Sequence, residues 1–242
     1  MKRVVNSFLI LALLAAASAR AADLNADQVV EKYIAASGGY GKLKAVQSLK
    51  GTGLYTAGDA PIPFVTLRQR PNLYRWDRDI QGKKLVLSYD GQTAWWINPF
   101  GGPDGPAKMP EADAANLVGE AVFEDALIDF KKKGNRAELL GLEDVDGRQS
   151  YKLKLTRKDG GVERFFIDAD NFLKIKHSFV FTANDREFEL LTFYQDYKAV
   201  GGVLLPHRIE REFAGQHRVI EFKSIEVNPK LDTAVFRMPK GK

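Results

Sequence analysis

The 242-residue chain carries 36 Lys and Arg against 31 Asp and Glu, a formal net charge of +5, and is 45% hydrophobic. That apolar fraction is ordinary for a globular protein and supports a sizeable core, in one large domain or two small ones. The chain has no cysteine, which excludes a structural disulfide, a thiolate metal site, a cysteine nucleophile and a lipid-modified N-terminal cysteine.

Residues 1–21 read as a secretory signal. Lys2 and Arg3 make a basic start, residues 8–17 an apolar centre, and Ala19-Arg20-Ala21 a cleavage site. The apolar run is shorter than the ~20 residues a membrane span needs; a retained N-terminal anchor is the alternative. Cleavage after Ala21 removes Lys2, Arg3 and Arg20, so that 33 basic residues face 31 acidic ones and the net charge falls to +2. The basicity belongs largely to the signal, and no block of like charge points to nucleic acid.

The remainder, 22–242, opens with a helix. Asn25 can cap it, with Gln28 at capping-box spacing, and Val29, Val30, Tyr33 and Ile34 form one apolar stripe. Ser37-Gly38-Gly39 stops it, and residues 41–46 add a short helical turn. Residues 51–56 then read as a strand, 58–63 as a turn, and 64–79 as a long extended stretch in which Pro71 implies an edge or a bulge. Tyr74 and Trp76 lie two apart there and share a face. Asp90-Gly91, between Leu85-Val86-Leu87 and Ala94-Trp95-Trp96-Ile97, predicts a hairpin with a type I′ turn. Adjacent Trp95 and Trp96 point to opposite faces, so at most one lines any cavity on the sheet.

Residues 99–110 form a loop rich in Gly and Pro, and 111–133 read as one or two amphipathic helices, through Leu117, Val118, Ala121 and Val122, then Phe123, Leu127 and Phe130. Gly119 is the point at which they would divide, and Lys131-Lys132-Lys133-Gly134 suits the C-terminal end. Beyond Gly134 the pattern is antiparallel strand. Residues 139–145 lead into an Asp146-Gly147 turn; Tyr151, Leu153 and Leu155 alternate with Lys152 and Lys154. Segments 162–168, 172–181, 188–197, 204–213 and 219–227 continue a meander, with turns at Asp159-Gly160-Gly161, Ala169-Asp170-Asn171, Asn184-Asp185, Gly201-Gly202 and Gly215-Gln216. The pattern predicts one mainly β domain with α (α+β), of about ten or eleven antiparallel strands, with helices at its start and inserted midway.

No catalytic motif emerges. His177, His207 and His217 each fall in a strand without zinc spacing; no G-x-S-x-G elbow exists. Ser37-Gly38-Gly39-Tyr40-Gly41 follows a helix rather than a strand, so it fails as a phosphate loop. Asp168-Ala169-Asp170-Asn171 lacks the later glycine and glutamate of a calcium loop. Nothing argues for an enzyme or a cofactor.

The stretch Arg70-Pro71-Asn72-Leu73-Tyr74-Arg75-Trp76, followed by Ser88-Tyr89-Asp90-Gly91-Gln92-Thr93-Ala94-Trp95-Trp96-Ile97-Asn98-Pro99-Phe100, resembles the core of the periplasmic lipoprotein-carrier family (LolA-like). That family has an R-P-N-L-aromatic-x-W strand before a D-G-K-T-L-W hairpin ending in N-P-F. Two departures are Ala94 where the motif has leucine, and an extra hairpin over 204–227. The resemblance implies an incomplete antiparallel β-barrel, with helices as a lid over an apolar cavity that holds acyl chains. It implies a soluble periplasmic carrier of acylated lipoprotein or other lipid, loaded by an inner-membrane releasing complex and emptied by an outer-membrane acceptor. Arg70 matches the arginine that fastens the lid in the empty state; Tyr74 and Trp76 match the motif's aromatics. Trp96, Leu117, Phe123 and Leu127 complete the expected ligand and lid residues. The alternative is an envelope lipid- or protein-sensing or structural module acting through a membrane partner.

Overall fold

The computed structural model describes residues 24–183 and 186–240; the expected signal at 1–21 and the turn at Asn184-Asp185 lie outside the described residues. Helix α1 (Ala26–Ala36) starts where its caps require. The Asn25 side chain accepts from the Gln28 amide at 3.0 Å and the Gln28 side chain accepts from the Asn25 amide at 2.9 Å, closing the capping box. It ends at Gly38, whose φ of 120° is joined to a close approach: a Cβ there would lie 2.7 Å from the Gly202 carbonyl oxygen. A short helix α2 (Tyr40–Ala45) follows.

The first run of strands is β1 (Ser48–Thr56), β2 (Ile62–Gln69), β3 (Leu73–Ile80), β4 (Lys83–Tyr89), β5 (Ala94–Ile97) and β6 (Pro106–Lys108), leading to helix α3 (Glu111–Ala121). The second is β7 (Arg136–Val145), β8 (Arg148–Thr156), β9 (Val162–Asp168), β10 (Lys174–Ala183), β11 (Arg186–Val200), β12 (Val203–Phe213) and β13 (Gln216–Val227), with a closing 3-10 turn at Thr233–Phe236. All are antiparallel neighbours in one open, curved sheet of thirteen strands, ordered β6-β5-β4-β3-β2-β1-β13-β12-β11-β10-β9-β8-β7. The two runs meet where β1 pairs with β13. Two strands beyond the expected count arise because β6 forms inside the Gly-Pro loop and because residues 64–79 are two strands. Pro71, expected at an edge or bulge, sits instead in the turn between them, after a cis Arg70–Pro71 bond.

The two Asp-Gly pairs behave differently. At Asp146-Gly147 both residues take positive φ (51° and 79°) and Val145 pairs with Arg148, the two-residue turn that this dipeptide favours. At Asp90-Gly91 only the glycine does, so the expected type I′ turn is absent. The Asp90 carboxylate instead accepts from the amides of Gln92 (3.0 Å) and Thr93 (2.7 Å), and Tyr89 pairs with Ala94 across a longer loop.

The helices pack on one face of the sheet, its inner face. Val29, Val30 and Tyr33 of α1 join Leu127 and Phe130 over Tyr151, Leu153, Leu155, Phe165 and Ile167. Leu117 and Ala121 of α3 sit on Tyr74 and Ala94 at the other end. The second mid-chain helix expected after Gly119 does not form: α3 runs through that glycine and residues 122–134 are a strap of turns. On the outer face Trp95 and Phe236 are fully buried, and the Phe236 carbonyl accepts from the Trp95 indole (2.7 Å) and the Ser88 hydroxyl (3.0 Å).

Candidate functional site

The aromatic floor beneath α3 follows from strand alternation. Tyr74 and Trp76 of β3, Leu87 and Tyr89 of β4 and Ala94 of β5 all turn inward, and the register puts Trp96 opposite Leu87 on that face. Trp76 stands edge-on to Tyr55 (centroids 5.2 Å apart) and Phe64 (5.9 Å), tying the floor to a second apolar cluster that includes Phe222 and Ile220. Burial, then the nearby Glu120 charge, pushes the Tyr74 hydroxyl up to about 12.

Three arginines fasten what lies above. Arg68 of β2 donates from one terminal nitrogen to the carbonyls of Glu120 (3.1 Å) and Val122 (2.7 Å), the last turn of α3. Those carbonyls have no partner inside the helix, which makes them ready acceptors. Arg211 of β12 holds the Glu120 carboxylate with two bonds of 2.7 and 2.9 Å. Burial alone would raise the Glu120 carboxyl; the Arg211 charge outweighs it and holds the group below its ordinary range. Arg70 reaches a different target: it donates to the carbonyls of Val46 (2.8 Å) and Leu43 (3.4 Å) and to the Glu124 carboxylate (3.1 Å). It therefore ties the strap to the α2 region, whereas Arg68 ties α3 to the sheet. Farther along the strap Asp125 pairs with buried Lys174 of β10 and accepts from the Tyr33 hydroxyl at 3.0 Å. Burial opposes the Asp125 charge, but Lys174 prevails and the carboxyl lies below its usual value.

The residues expected as a site are therefore partly gathered. Tyr74, Trp76 and Leu117 are in one cluster and Trp96 shares their face; Phe123 lies between the guanidiniums of Arg70 (4.9 Å) and Arg68 (5.7 Å) at the edge of it. Leu127 is fully buried under α1, in the other core. Arg68, Arg211 and Glu120 were not singled out by sequence. Arg68, two residues before Arg70 and so on the same side of β2, carried a usable signal; the Arg211–Glu120 pair, 91 residues apart, carried none.

Beneath α3, where an apolar cavity was expected, the described side chains pack on one another. Leu117, Ala121, Tyr74 and Trp76 occupy that space. Clefts of about 310 Å3 (by Arg148, Asn171, Tyr194 and Tyr197) and about 390 Å3 (by Asn135, Arg157, Lys158 and Asp159) lie elsewhere. The attachment of α3 is nevertheless thin. Of the first four residues of the stripe read from sequence only Leu117 and Ala121 are buried, while Val118 is 38% and Val122 58% exposed. Among the described residues, no helix is long and apolar enough to cross a membrane, and no group of three or more His, Asp or Glu could hold a metal.

An open antiparallel sheet with helices over one face is the LolA-like fold. The chain is similar to a LolA superfamily protein from Nitrosomonas europaea, with a TM-score of 0.55 and 17% identity over 88% of this chain and 98% of that one. It is similar to a DUF1329 family protein from Desulfovibrio piger, at 0.61 and 16% over 88% and 97%. A provisionally assigned outer membrane lipoprotein-sorting protein domain from Vibrio parahaemolyticus matches at 0.55 and 11% over 87% and 95%. At these identities the likeness is one of fold. No family model and no curated protein sequence matches the chain.

Proposed function

We propose that the protein is a periplasmic lipid carrier in which α3 is the lid. Its cargo would be an acyl chain of a lipoprotein or another lipid, lying on the floor formed by Tyr74, Trp76 and Trp96 and facing Leu117 and Phe123. Residues 1–21 would direct export, and 22–242 would work as one domain between an inner-membrane releasing complex and an outer-membrane acceptor. The observation that carries this reading is how α3 is held: two small apolar anchors and a set of reversible polar bonds from Arg68 and Arg211, over an aromatic floor. Releasing Leu117 and Ala121 to water costs on the order of 3 kcal/mol. A chain of ~15 methylenes gains roughly 12 kcal/mol when removed from water, at ~0.8 per CH2. Cargo can therefore displace the lid and still bind. Leu127, in the buried core beneath the strap, would keep the base of the lid anchored while α3 swings, and Arg70 would latch the strap in the closed state.

The test is native mass spectrometry of the protein purified from periplasm, before and after exposure to acylated peptide. The proposal expects bound lipid, or uptake with 1:1 mass shifts. A folded protein that takes up no lipid from any acylated probe would refute it.

A further inference from the structure

The inner face is cationic to a degree that carrying a neutral tail does not require. Strand register puts Arg68, Arg78, Arg211, Arg218 and Lys83 on the inner face of β1–β5, β12 and β13, and no Asp or Glu there. The acids of these strands, among them Asp77, Glu210 and Glu221, fall on the outer face, where they pair with Arg75 and Arg208. Glu120 answers Arg211 from above, and Arg68 is taken up by carbonyls. Arg78 and Arg218 have no carboxylate within ion-pairing distance among the described residues. The two are close enough for Arg218 to disfavour the charge of Arg78, which burial already disfavours.

Arg78 is the sharper case. Its guanidinium lies 4.6 Å from the Trp76 ring centroid and 5.1 Å from that of Tyr55, and its Nε is buried with no hydrogen-bond partner. Contact with rings engages the flat face of a guanidinium, and the Tyr55 hydroxyl takes part of its donor capacity; the planar fork of N–H donors that remains suits a carboxylate or phosphate. Along β3, Arg78, Trp76 and Tyr74 succeed one another on the inner face, so the run from Arg78 to the floor under α3 is ~13 Å at ~3.3 Å per residue.

We propose that the cargo is an amphiphile with an anionic headgroup, a carboxylate or a phosphate, received by Arg78 and Arg218, with its tail along Trp76 and Tyr74 toward α3. This rests on the carrier reading and narrows the cargo to one class. The anion supplies the charge that the inner face of β1–β5, β12 and β13 lacks; the acid on that face farther along, Glu163 of β9, already faces Arg157 and His177.

The experiment compares three probes on the purified protein by isothermal titration, below their aggregation concentrations: oleate, oleyl alcohol with the same chain and a neutral head, and inorganic phosphate. The expected result is oleate binding ~10-fold or more tighter than oleyl alcohol, from one charge-assisted pairing, and no measurable binding of phosphate alone. In Arg78→Gln the oleate-to-alcohol affinity ratio should fall toward one, and in Arg218→Gln it should fall less; the second variant, at an exposed residue, serves if the first fails to fold. Equal affinity of the wild-type protein for oleate and oleyl alcohol would overturn the headgroup proposal and leave the carrier standing, as would an unchanged ratio in both variants. Phosphate binding as tightly as oleate would overturn the tail's part in it. If neither oleate nor oleyl alcohol binds, the carrier reading falls as well.

Discussion

Replacing Arg68 with methionine separates the fastening of α3 from the packing beneath it. Methionine retains an unbranched apolar stem beside Tyr74 and Phe123, whose rings the guanidinium now covers at 5.8 and 5.7 Å. It removes the donor that serves the Glu120 and Val122 carbonyls. Hydrogen bonds to charged groups contribute about 1.5–3 kcal/mol each. Because a single nitrogen serves both acceptors, and both carbonyls can turn to water once the lid lifts, the loss on the closed state should be about 2 kcal/mol. At 1.4 kcal/mol per decade, that raises the open population about 30-fold. Hydrogen–deuterium exchange resolves it: amides of Glu111–Ala121 should lose about 30-fold protection while those of Ala26–Ala36 keep theirs. Unchanged protection of α3 would show that Arg68 does not hold it. An equal loss in both helices would show that the helices open together with the whole fold, and the lid would have no independent existence.

Arg70→Leu should act on a different segment, since its partners are Val46, Leu43 and Glu124: exchange should rise over 122–134, and transfer of a bound fluorescent acyl probe to vesicles should slow because the open state is no longer penalised. Unchanged transfer would leave Arg70 an ordinary strand residue. Phe236→Ala, in a fully buried site, should cost about 3–5 kcal/mol and lower the melting temperature by roughly 10 °C; a shift below a few degrees would mean the closing turn is not part of the core. Lys174→Met should destabilise by about 3–5 kcal/mol through the Asp125 charge left buried, and adding Asp125→Leu should restore much of it; a double variant no better than the single would refute that account. The strap's carboxylates also set an acid limit. Asp129 is held down to about 2 by its bonds from Lys132, Lys44 and Tyr40, and Glu124 and Asp125 are lowered too. Folded values below the unfolded ones mean a contribution complete above pH ~4 and lost as pH falls toward 2. Strap protection should be flat from pH 7 to 5, and an opening centred near pH 6 would contradict it.

What the sequence disclosed and what it hid divide along physical lines. Local rules were legible where no distant partner competes. The Asn25–Gln28 box closed as spaced, Asp146-Gly147 turned as its dipeptide prefers, and Tyr151, Leu153 and Leu155 went inward while Lys152 and Lys154 stayed half-buried. Local rules failed where side chains answer to something far away. Residues 122–134 have a helical apolar pattern, but Glu124 is drawn to Arg70 and Lys44, and Asp125 to Lys174. Asp90 failed as a type I′ position for a nearer reason: its carboxylate caps its own loop. The floor was legible because Tyr74, Trp76 and Trp96 obey alternation. The bonds holding α3 to the sheet were not, because Arg211 meets Glu120 only after β12 and α3 are brought to the same face.

A floor packed by the chain's own side chains can look like an argument against carriage, yet an empty carrier has reason to look this way. An unfilled apolar void forfeits contacts on every wall, so in the proposed carrier Leu117 and Ala121, which pack on Tyr74 and Ala94, would take the place of hydrocarbon. The small area of that substitute keeps it reversible. A longer stripe, with Val118 and Val122 buried as well, would hold α3 more tightly and leave less of the ~12 kcal/mol of an acyl chain to bind with. Lifting α3 also carries Glu120 away from Arg211. The opened face of β1–β5, β12 and β13 would then hold cations without a carboxylate to answer them, a state that an anionic amphiphile relieves and a neutral one does not.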